Sequence, residues 1–360
     1  MKSSNITYLP RLDHLRGLAA LLVFIYHLYH HFYQNWKPNP DIWYAGFMVE
    51  GHTGVALFFV LSGFIFMLIR LSASGIDYFD FMRNRFLRIF PLFLFIFFVA
   101  ISIGRNEFRA ADVLYLFFSN LGAAPTSNSF ITGAAWTISI EFTFYAVFPF
   151  IAMAVMKKGP SYIVQIIFIL LFFKLGAYFI SENPKHMFYS TLLGRFDQFL
   201  MGMLAAMAYQ YAIKKEMLKS AIWPLVALAL AWGGIGIMAA NFSYQSSLQQ
   251  DPWWILWPTL EAFLWAFVIV TYLCSRCSLP RALNDFFASV GQVSYSWYLT
   301  HALILWLWGQ IIGPIDLASS FIPNLLLNII VVGALSLAFA KLSYHTFEEP
   351  FLGLRRRYVK

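Results

Sequence analysis

Ten stretches of this chain are apolar and long enough to cross a bilayer. They lie at about 15–34, 53–70, 87–103, 136–156, 161–180, 191–213, 220–240, 254–273, 292–312 and 324–345, each near the ~20 residues a spanning helix requires. Hydrocarbon offers no partner for backbone N–H and C=O groups, so a spanning segment must satisfy them internally, as a helix does. Composition agrees. Of the 360 residues, 60% are hydrophobic and only 12% are charged, against roughly 25% charged in a soluble domain. The expectation is an all-α, polytopic integral membrane bundle of about ten helices. It forms a single domain over 1–360 with no appended soluble domain.

Lysine and arginine set the orientation. With a cytoplasmic N-terminus, nineteen of the 25 fall on the inner side: Lys2, Arg11, Arg16, Arg70, Arg83, Arg85, Arg88, Lys157, Lys158, Lys214, Lys215, Lys219, Arg276, Arg281, Lys341, Arg355, Arg356, Arg357 and Lys360. The outer side and outer membrane half keep Lys37, Arg105, Arg109, Lys174, Lys185 and Arg195. This asymmetry predicts N-in and C-in. It also accounts for the net charge of +8 without nucleic acid as a partner. The first apolar run lacks a small-residue cleavage site and is followed by a return span, so it reads as a retained helix rather than a signal peptide. The two cysteines, in Cys274-Ser275-Arg276-Cys277, lack both a thioredoxin-like context and a second ligand pair for zinc, and read as free thiols in a cytoplasmic turn. No internal repeat or low-complexity linker is visible. The longest outer loop, about 104–135, holds an amphipathic stretch, Ala111–Leu121, and a turn-rich segment, Ala124–Ser129.

Ionisable side chains inside apolar runs are costly, and a functional site is the default reading of them. Arg16 and His27 occupy the first run. Eleven residues of helix leave them on one face with roughly 16 Å of rise between them. A histidine titrating near neutrality can take a proton from a hydroxyl nucleophile; the plainer role is a hydrogen bond to a neighbouring helix. His30 and His31 have no acidic partner on their face. They make a weak metal site and read better as markers of the outer interface, so no metal ligand is assigned. Asp13 lies three residues before Arg16 and can pair with it. Arg16 is then either a snorkelling anchor or a fork for phosphate oxygens. Arg83, Arg85 and Arg88, just before the third run, either contact anionic lipid or receive a polyphosphate ligand. Glu141 sits in Trp136-Thr137-Ile138-Ser139-Ile140-Glu141 and needs a partner at that depth, for which Arg195 and His27 are the candidates. Arg195 and Asp197, at i and i+2, do not face each other on a helix, so each pairs with another segment. His301 is a second intramembrane histidine whose plain role is an interhelical hydrogen bond. Phe347-Glu348-Glu349-Pro350 reads as a helix stop, bridged locally to Arg355–Arg357.

Taken together these residues resemble the membrane acyltransferase 3 family, over nearly the whole chain. The resemblance rests on Leu12-Asp13-His14-Leu15-Arg16-Gly17-Leu18-Ala19-Ala20 running on to His27, and on Gly54–Phe64. It rests also on Arg85 and Arg88 with Pro91, on Trp136…Ser139…Glu141, and on Ser294-Tyr295…Tyr298-Leu299…His301. Three positions depart from the family pattern: His14 where glycine is usual, Ala56 where an acidic residue is frequent, and Phe142 where a second Glu is common. These touch substrate detail more than the reaction.

The resemblance implies an O-acyltransferase of the bacterial plasma (inner) membrane that moves an acyl group, often acetyl, to a cell-envelope sugar. The acceptor would be an O-antigen of lipopolysaccharide, an exopolysaccharide or a lipid-linked glycan. It implies cytoplasmic acyl-CoA (acetyl-CoA) as donor substrate and no tightly bound cofactor. Coenzyme A carries its phosphates at one end of a long arm and the thioester at the other. Arg16, Arg83, Arg85 and Arg88 then hold the phosphates, and the deeper His27 meets the thioester. His27 acts as general base or as transient acyl carrier. Glu141 is its catalytic companion, and Arg195, Asp197, Trp136, Ser139 and His301 receive the acceptor. The alternative is a proton-coupled exporter of an envelope precursor, which would be expected to show repeats and paired broken helices.

Overall fold

The computed structural model describes residues 7–34, 43–103, 136–244 and 251–360. The outer loop with Ala111–Leu121 and Ala124–Ser129, and the charges Lys2, Lys37, Arg105 and Arg109, lie outside the described residues. The described chain is helical: α1 (Pro10–Tyr29), α2 (Gly46–Val49), α3 (Thr53–Leu71), α4 (Tyr78–Ile103), α5 (Trp136–Lys158), α6 (Pro160–Ile180), α7 (Pro184–Ser190), α8 (Leu192–Lys214), α9 (Ile222–Asn241), α10 (Trp253–Cys274), α11 (Arg281–Gln292), α12 (Ser294–Ile311), α13 (Phe321–Ser343) and α14 (Glu349–Leu352). Short π-helical turns, His30–Gln34 and Tyr344–Glu348, extend α1 and α13.

Each of the ten expected spans coincides with a long helix. Seven of these are long and apolar enough to cross a membrane: α3, α4, α5, α6, α9, α10 and α13, the last continued through Leu352. The other three, α1, α8 and α12, are the more polar ones. They carry Arg16 and His27, Arg195 and Asp197, and His301, and they pack inside the bundle: α1 against α3 and α12, α8 against α3 and α10. The apolar α6 is peripheral, with Phe168, Phe172, Phe173 and Phe179 exposed on its outer face. Polar helices inside and apolar faces outside is the arrangement a hydrocarbon solvent enforces, because buried ionisable groups can find partners only within the protein.

Two helices begin earlier than the hydrophobic pattern suggests. α1 starts at Pro10, a residue suited to the first helical position, so Arg11, Asp13 and Arg16 are all helical. α4 starts at Tyr78 rather than near 87 and runs 26 residues. Arg83, Arg85 and Arg88 therefore sit within a helix and not in a loop before it. Charge lowers hydropathy without lowering helix propensity, since arginine is a good helix former.

Several of the segments that the positive charges assign to the inner side meet at one end of the bundle. The Arg11 guanidinium donates to the carbonyls of Tyr272 and Ser275, at 2.8 and 2.7 Å, and to that of Cys277. The cysteine turn therefore presents carbonyls to a guanidinium, and its thiols are free. Arg276 N donates to Lys219 O, and an antiparallel bridge joins Ile76 to Val359.

A close helix crossing, α3 on α8, depends on two glycines. A Cβ at Gly63 would lie 2.0 Å from the Phe199 carbonyl oxygen, and one at Gly202 2.0 Å from that of Val60. Small residues permit this approach in membrane bundles. Gly202→Ala is expected to cost about 1–3 kcal/mol by overpacking, read as a lower thermal midpoint of the purified protein.

Candidate active site

Two adjoining cavities open between α1, α3, α4, α5 and α12. The outer one, about 150 Å³, is lined by Tyr8, Asp13, Arg16, Arg85, Arg88, Gln292, Tyr344, Arg355 and Tyr358 among others. The inner one, about 90 Å³, is lined by Arg16, Ser62, Arg85, Arg88, Thr137, Glu141, Tyr145, Tyr295 and Tyr298, with Phe58, Phe59 and Ile89 as apolar walls. Arg16, Arg85 and Arg88 belong to both. They form a cationic collar between an outer chamber and a deeper one that ends in hydroxyls and a carboxylate.

Each collar arginine is held differently. Arg16 pairs with Asp13 at 3.5 Å, the i, i+3 contact its spacing predicts, and Asp13 also accepts a 2.7 Å bond from the Tyr8 hydroxyl. Arg88 donates to Glu348 at 2.6 Å and lies over the Tyr295 ring. Arg85 makes no ion pair among the described residues. It stacks over Phe66 at 4.8 Å from the ring centroid, and over Phe81 and Tyr145, and its Nε is buried with no hydrogen-bond partner among the described residues. Arg83 is not among the residues lining either cavity.

Glu141 lies in the same cavity as the collar. The sequence points to Arg195 or His27 as its partner. The structure instead gives its Oε1 a 2.8 Å bond from Ser62 Oγ and a second bond from Tyr145 OH. Ser62 comes from α3, and Tyr145 stands one turn further along α5, the i, i+4 relation that brings side chains together on a helix. Beyond Glu141 the inner cavity ends at Thr137 and Tyr298, whose hydroxyls are 3.0 Å apart.

Behind Tyr298 lies the histidine pair. The His301 and Tyr298 rings are 6.0 Å apart between centroids. His301 Nε2 meets His27 Nδ1 at 3.2 Å, and His27 Nδ1 is also 2.9 Å from Val23 O. His301 Nδ1 is 3.2 Å from Trp297 O. Carbonyls only accept, so in the neutral pair His301 carries its proton on Nδ1 and offers a lone pair at Nε2. His27 then donates from Nδ1, shared between Val23 O and His301, and holds its lone pair on Nε2. One histidine thus fixes the tautomer of the other, as a catalytic base is oriented by a third group. The plain interhelical bond expected of His301 exists, and its partner is His27.

Arg195 and Asp197 are elsewhere. Both are fully buried, and each pairs with another segment, as their spacing requires. Arg195 Nη1 donates to Glu261 at 3.2 Å and its Nε to Tyr189 O at 2.7 Å. Asp197 accepts from Lys174 at 2.8 Å and from Thr259. Neither lines the two cavities. Trp136 is buried against Tyr189, with ring centroids 5.2 Å apart, and Ser139 is turned back onto Trp136 O at 2.9 Å. Two expectations are corrected. His30 is wholly buried and bonded to Val49 O at 3.1 Å, so it marks no interface. Glu348 pairs with Arg88 and not with Arg355–Arg357, because the π-turn rotates it inward to Arg88 and the Ser296 hydroxyl. Glu349 pairs with His345 at 2.6 Å. His14, the departure from the family glycine, bonds Tyr272 OH at 2.8 Å and Asn284 O at 3.0 Å.

Sequence reasoning missed Tyr145, Tyr295, Thr137 and Arg355 as cavity residues. Thr137 and Tyr295 lay within motifs the sequence singled out without being assigned to the site, and Tyr145 carried a local signal in its i+4 spacing from Glu141. They are brought in by helix packing or by the C-terminal tail.

A helical membrane bundle with a cationic collar, a cavity-lining carboxylate and a histidine pair defines a class, a membrane-embedded transferase or transporter of an anionic substrate. Comparison with known proteins decides between them. The acyltransferase domain of the acyltransferase 3 family matches residues 9–344, and the chain belongs to that family. It is 26% identical over 333 residues to the O-acetyltransferase OatA of Staphylococcus aureus (strain NCTC 8325 / PS 47), covering 83% of this chain and 51% of the relative. It thus spans about half the length of that protein. It is 26% identical over 387 residues to Nodulation protein 10 of Rhizobium leguminosarum bv. viciae, covering 96% and 94%. It is 24% identical over 306 residues to the putative acetyltransferase ORF330 of Acidianus two-tailed virus, covering 82% and 83%. No solved structure matches. The chain is thus a multi-pass membrane member of the acyltransferase 3 family.

Proposed function

We propose that this protein transfers an acyl group, acetyl first among them, from acyl-CoA to a hydroxyl of a cell-envelope sugar, in a bacterial plasma membrane with both termini cytoplasmic. The observation that carries the reading is the pair of joined cavities, with Arg16, Arg85 and Arg88 at their junction and Glu141 beyond. Guanidiniums fork onto phosphate oxygens, so the collar suits the diphosphate of the donor, and the inner cavity suits the thioester arm. The sugar hydroxyl gives its proton to His27 Nε2 and its oxygen attacks the thioester carbonyl. The tetrahedral oxyanion then collapses, the C–S bond breaks, and the coenzyme A thiolate leaves with a proton returned from His27. His301 holds the base in the required tautomer. The hydroxyls of Thr137 and Tyr298, between cavity and histidines, are the donors best situated for the oxyanion.

The test uses the full chain in proteoliposomes with labelled acetyl-CoA and an envelope glycan fraction. Acetylated glycan, identified by mass spectrometry and dependent on the thioester, is the expected product. Glycan flux without any release of coenzyme A would instead support an exporter. Arg85→Gln is expected to raise the KM for acetyl-CoA by about tenfold or more, because it removes charge-assisted bonds worth roughly 1.5–3 kcal/mol. An unchanged KM would remove the collar from donor binding.

A further inference from the structure

The outer cavity has a wall that does not come from the membrane helices. Arg355 and Tyr358, both in the C-terminal tail, line it together with Arg16, Arg85 and Arg88. The tail lies beyond the stretch that matches the family, which ends at residue 344. It is fixed in place. Asp77 N donates to Tyr358 O at 2.8 Å and Ser74 N to Lys360 O at 2.9 Å, and Ile76 bridges Val359. The Asn84 side chain exchanges two bonds with the Arg356 backbone, at 2.6 and 3.0 Å. Tyr358 sets its ring on the edge of Phe81, with centroids 5.3 Å apart. Strand-like pairing on one side and a reciprocal amide on the other leave Arg355 directed by its backbone.

Arg355 is a cation among cations. No carboxylate pairs with it among the described residues, and its Nε donates to Leu352 O at 3.1 Å. Burial, with Arg88 and Arg85 close by, pushes its guanidinium down to about 10, so it stays charged at neutral pH. Four guanidiniums line the outer cavity against one lining carboxylate, Asp13, and Glu348 offsets Arg88 from behind. Two positive charges are left over. An apolar membrane protein gains nothing from crowding like charges at a cavity unless an anion enters it. The position of Arg355 is also specific. Arg16, Arg85 and Arg88 line both cavities, whereas Arg355 lines only the outer one. It faces the part of a ligand that stays furthest from the inner chamber.

We propose that Arg355 recognises the phosphate furthest from the thioester, the 3′-phosphate on the adenosine of coenzyme A, and that the C-terminal tail is a wall of the donor site. This rests on the acyl-CoA reading above. The collar engages the diphosphate, the pantetheine arm runs inward past it, and the ribose phosphate stays in the outer chamber beside Arg355. The tail then selects coenzyme A over other thioester carriers that lack this phosphate.

The test is calorimetric binding of coenzyme A and of 3′-dephospho-coenzyme A to the purified full chain, which needs no acceptor. The intact protein is expected to bind coenzyme A about tenfold or more tightly than the dephospho form, the scale of a charge-assisted contact. Arg355→Gln is expected to weaken coenzyme A binding by about tenfold while leaving the dephospho form unchanged, so the preference collapses. Unchanged binding of the dephospho form shows that the variant folds. Arg355→Lys is expected to keep part of the preference. Equal binding of the two ligands by the intact protein, or an undiminished preference in Arg355→Gln, overturns the assignment. Arg85→Gln separates it from the donor reading, since it is expected to weaken both ligands alike. If neither ligand binds the intact protein, the donor reading itself falls. If Arg85→Gln weakens both while Arg355→Gln changes nothing, only the tail assignment falls.

Discussion

Replacing His27 with alanine is expected to lower acyl transfer by about 10²–10⁴-fold, the usual contribution of a positioned general base. Coenzyme A binding is expected to stay unchanged, because His27 lines neither of the two cavities that share the arginine collar. That split separates a role in chemistry from a role in binding. The expectation follows from the hydrogen bonds around the ring. His27 Nδ1 is committed to Val23 O and His301, which leaves the lone pair on Nε2. His301→Ala removes the orienting partner and not the base, so a smaller loss is expected, with coenzyme A binding again intact. Both variants are checked by transfer assays on protein shown to be folded by thermal unfolding. Undiminished transfer by His27→Ala would end the base assignment. A stable acetyl adduct on the intact protein, lost in His27→Ala, would replace the general base with an acyl carrier at the same nitrogen.

The second large effect concerns folding. Asp197→Ala is expected to destabilise the protein by about 3–5 kcal/mol, the cost of leaving one member of a buried ion pair without its partner. The reason is particular to α6. That helix buries only Ile163, Ile167 and Lys174, and Lys174 donates to Asp197 at 2.8 Å and to Gly194 O at 3.0 Å. Without Asp197, Lys174 becomes an uncompensated ammonium at membrane depth, and α6 loses its ion pair to α8 while keeping the weaker bond to Gly194 O. Asp197→Asn keeps an acceptor and is expected to cost less. The measurement is the thermal midpoint in detergent for both variants, with acyl transfer followed in parallel. A normal midpoint together with a raised KM for the acceptor glycan would return Asp197 to substrate binding.

Asp197 shows where a sequence reading runs short. Its depth and its need for a partner were legible, since a carboxylate in an apolar run has to be paired. Which helix supplied the partner was not legible, because Lys174 lies 23 residues earlier and shares no periodic relation with it. The same holds for Glu141. A partner was required, and Arg195 and His27 were the candidates, whereas Ser62 and Tyr145 supply the bonds. Hydroxyl groups satisfy a carboxylate as well as a cation when they converge on it, but convergence is a property of packing. Arg355 is the opposite case. It read as one more positive-inside charge with a local acidic neighbour. A π-turn then sent Glu348 to Arg88, and the tail carried Arg355 to the cavity.

The sequence by itself determined the helical membrane class, the ten apolar segments and the distribution of positive charge, because these depend on local composition and on the thickness of the bilayer. It also marked Arg16, His27 and the Arg85–Arg88 pair, because ionisable groups in apolar runs are too costly to be incidental. Only the tertiary structure decided which of these groups share a space. It joined the arginines to Glu141 through the packing of α1, α3, α4 and α5. It set His301 against His27, and it sent Arg195 and Asp197 to hold helices together. The reason is physical. Burial energy is written along the chain one residue at a time, whereas a site is made by distances between residues far apart in it, which close helix crossings such as Gly63 on Phe199 and Gly202 on Val60 fix.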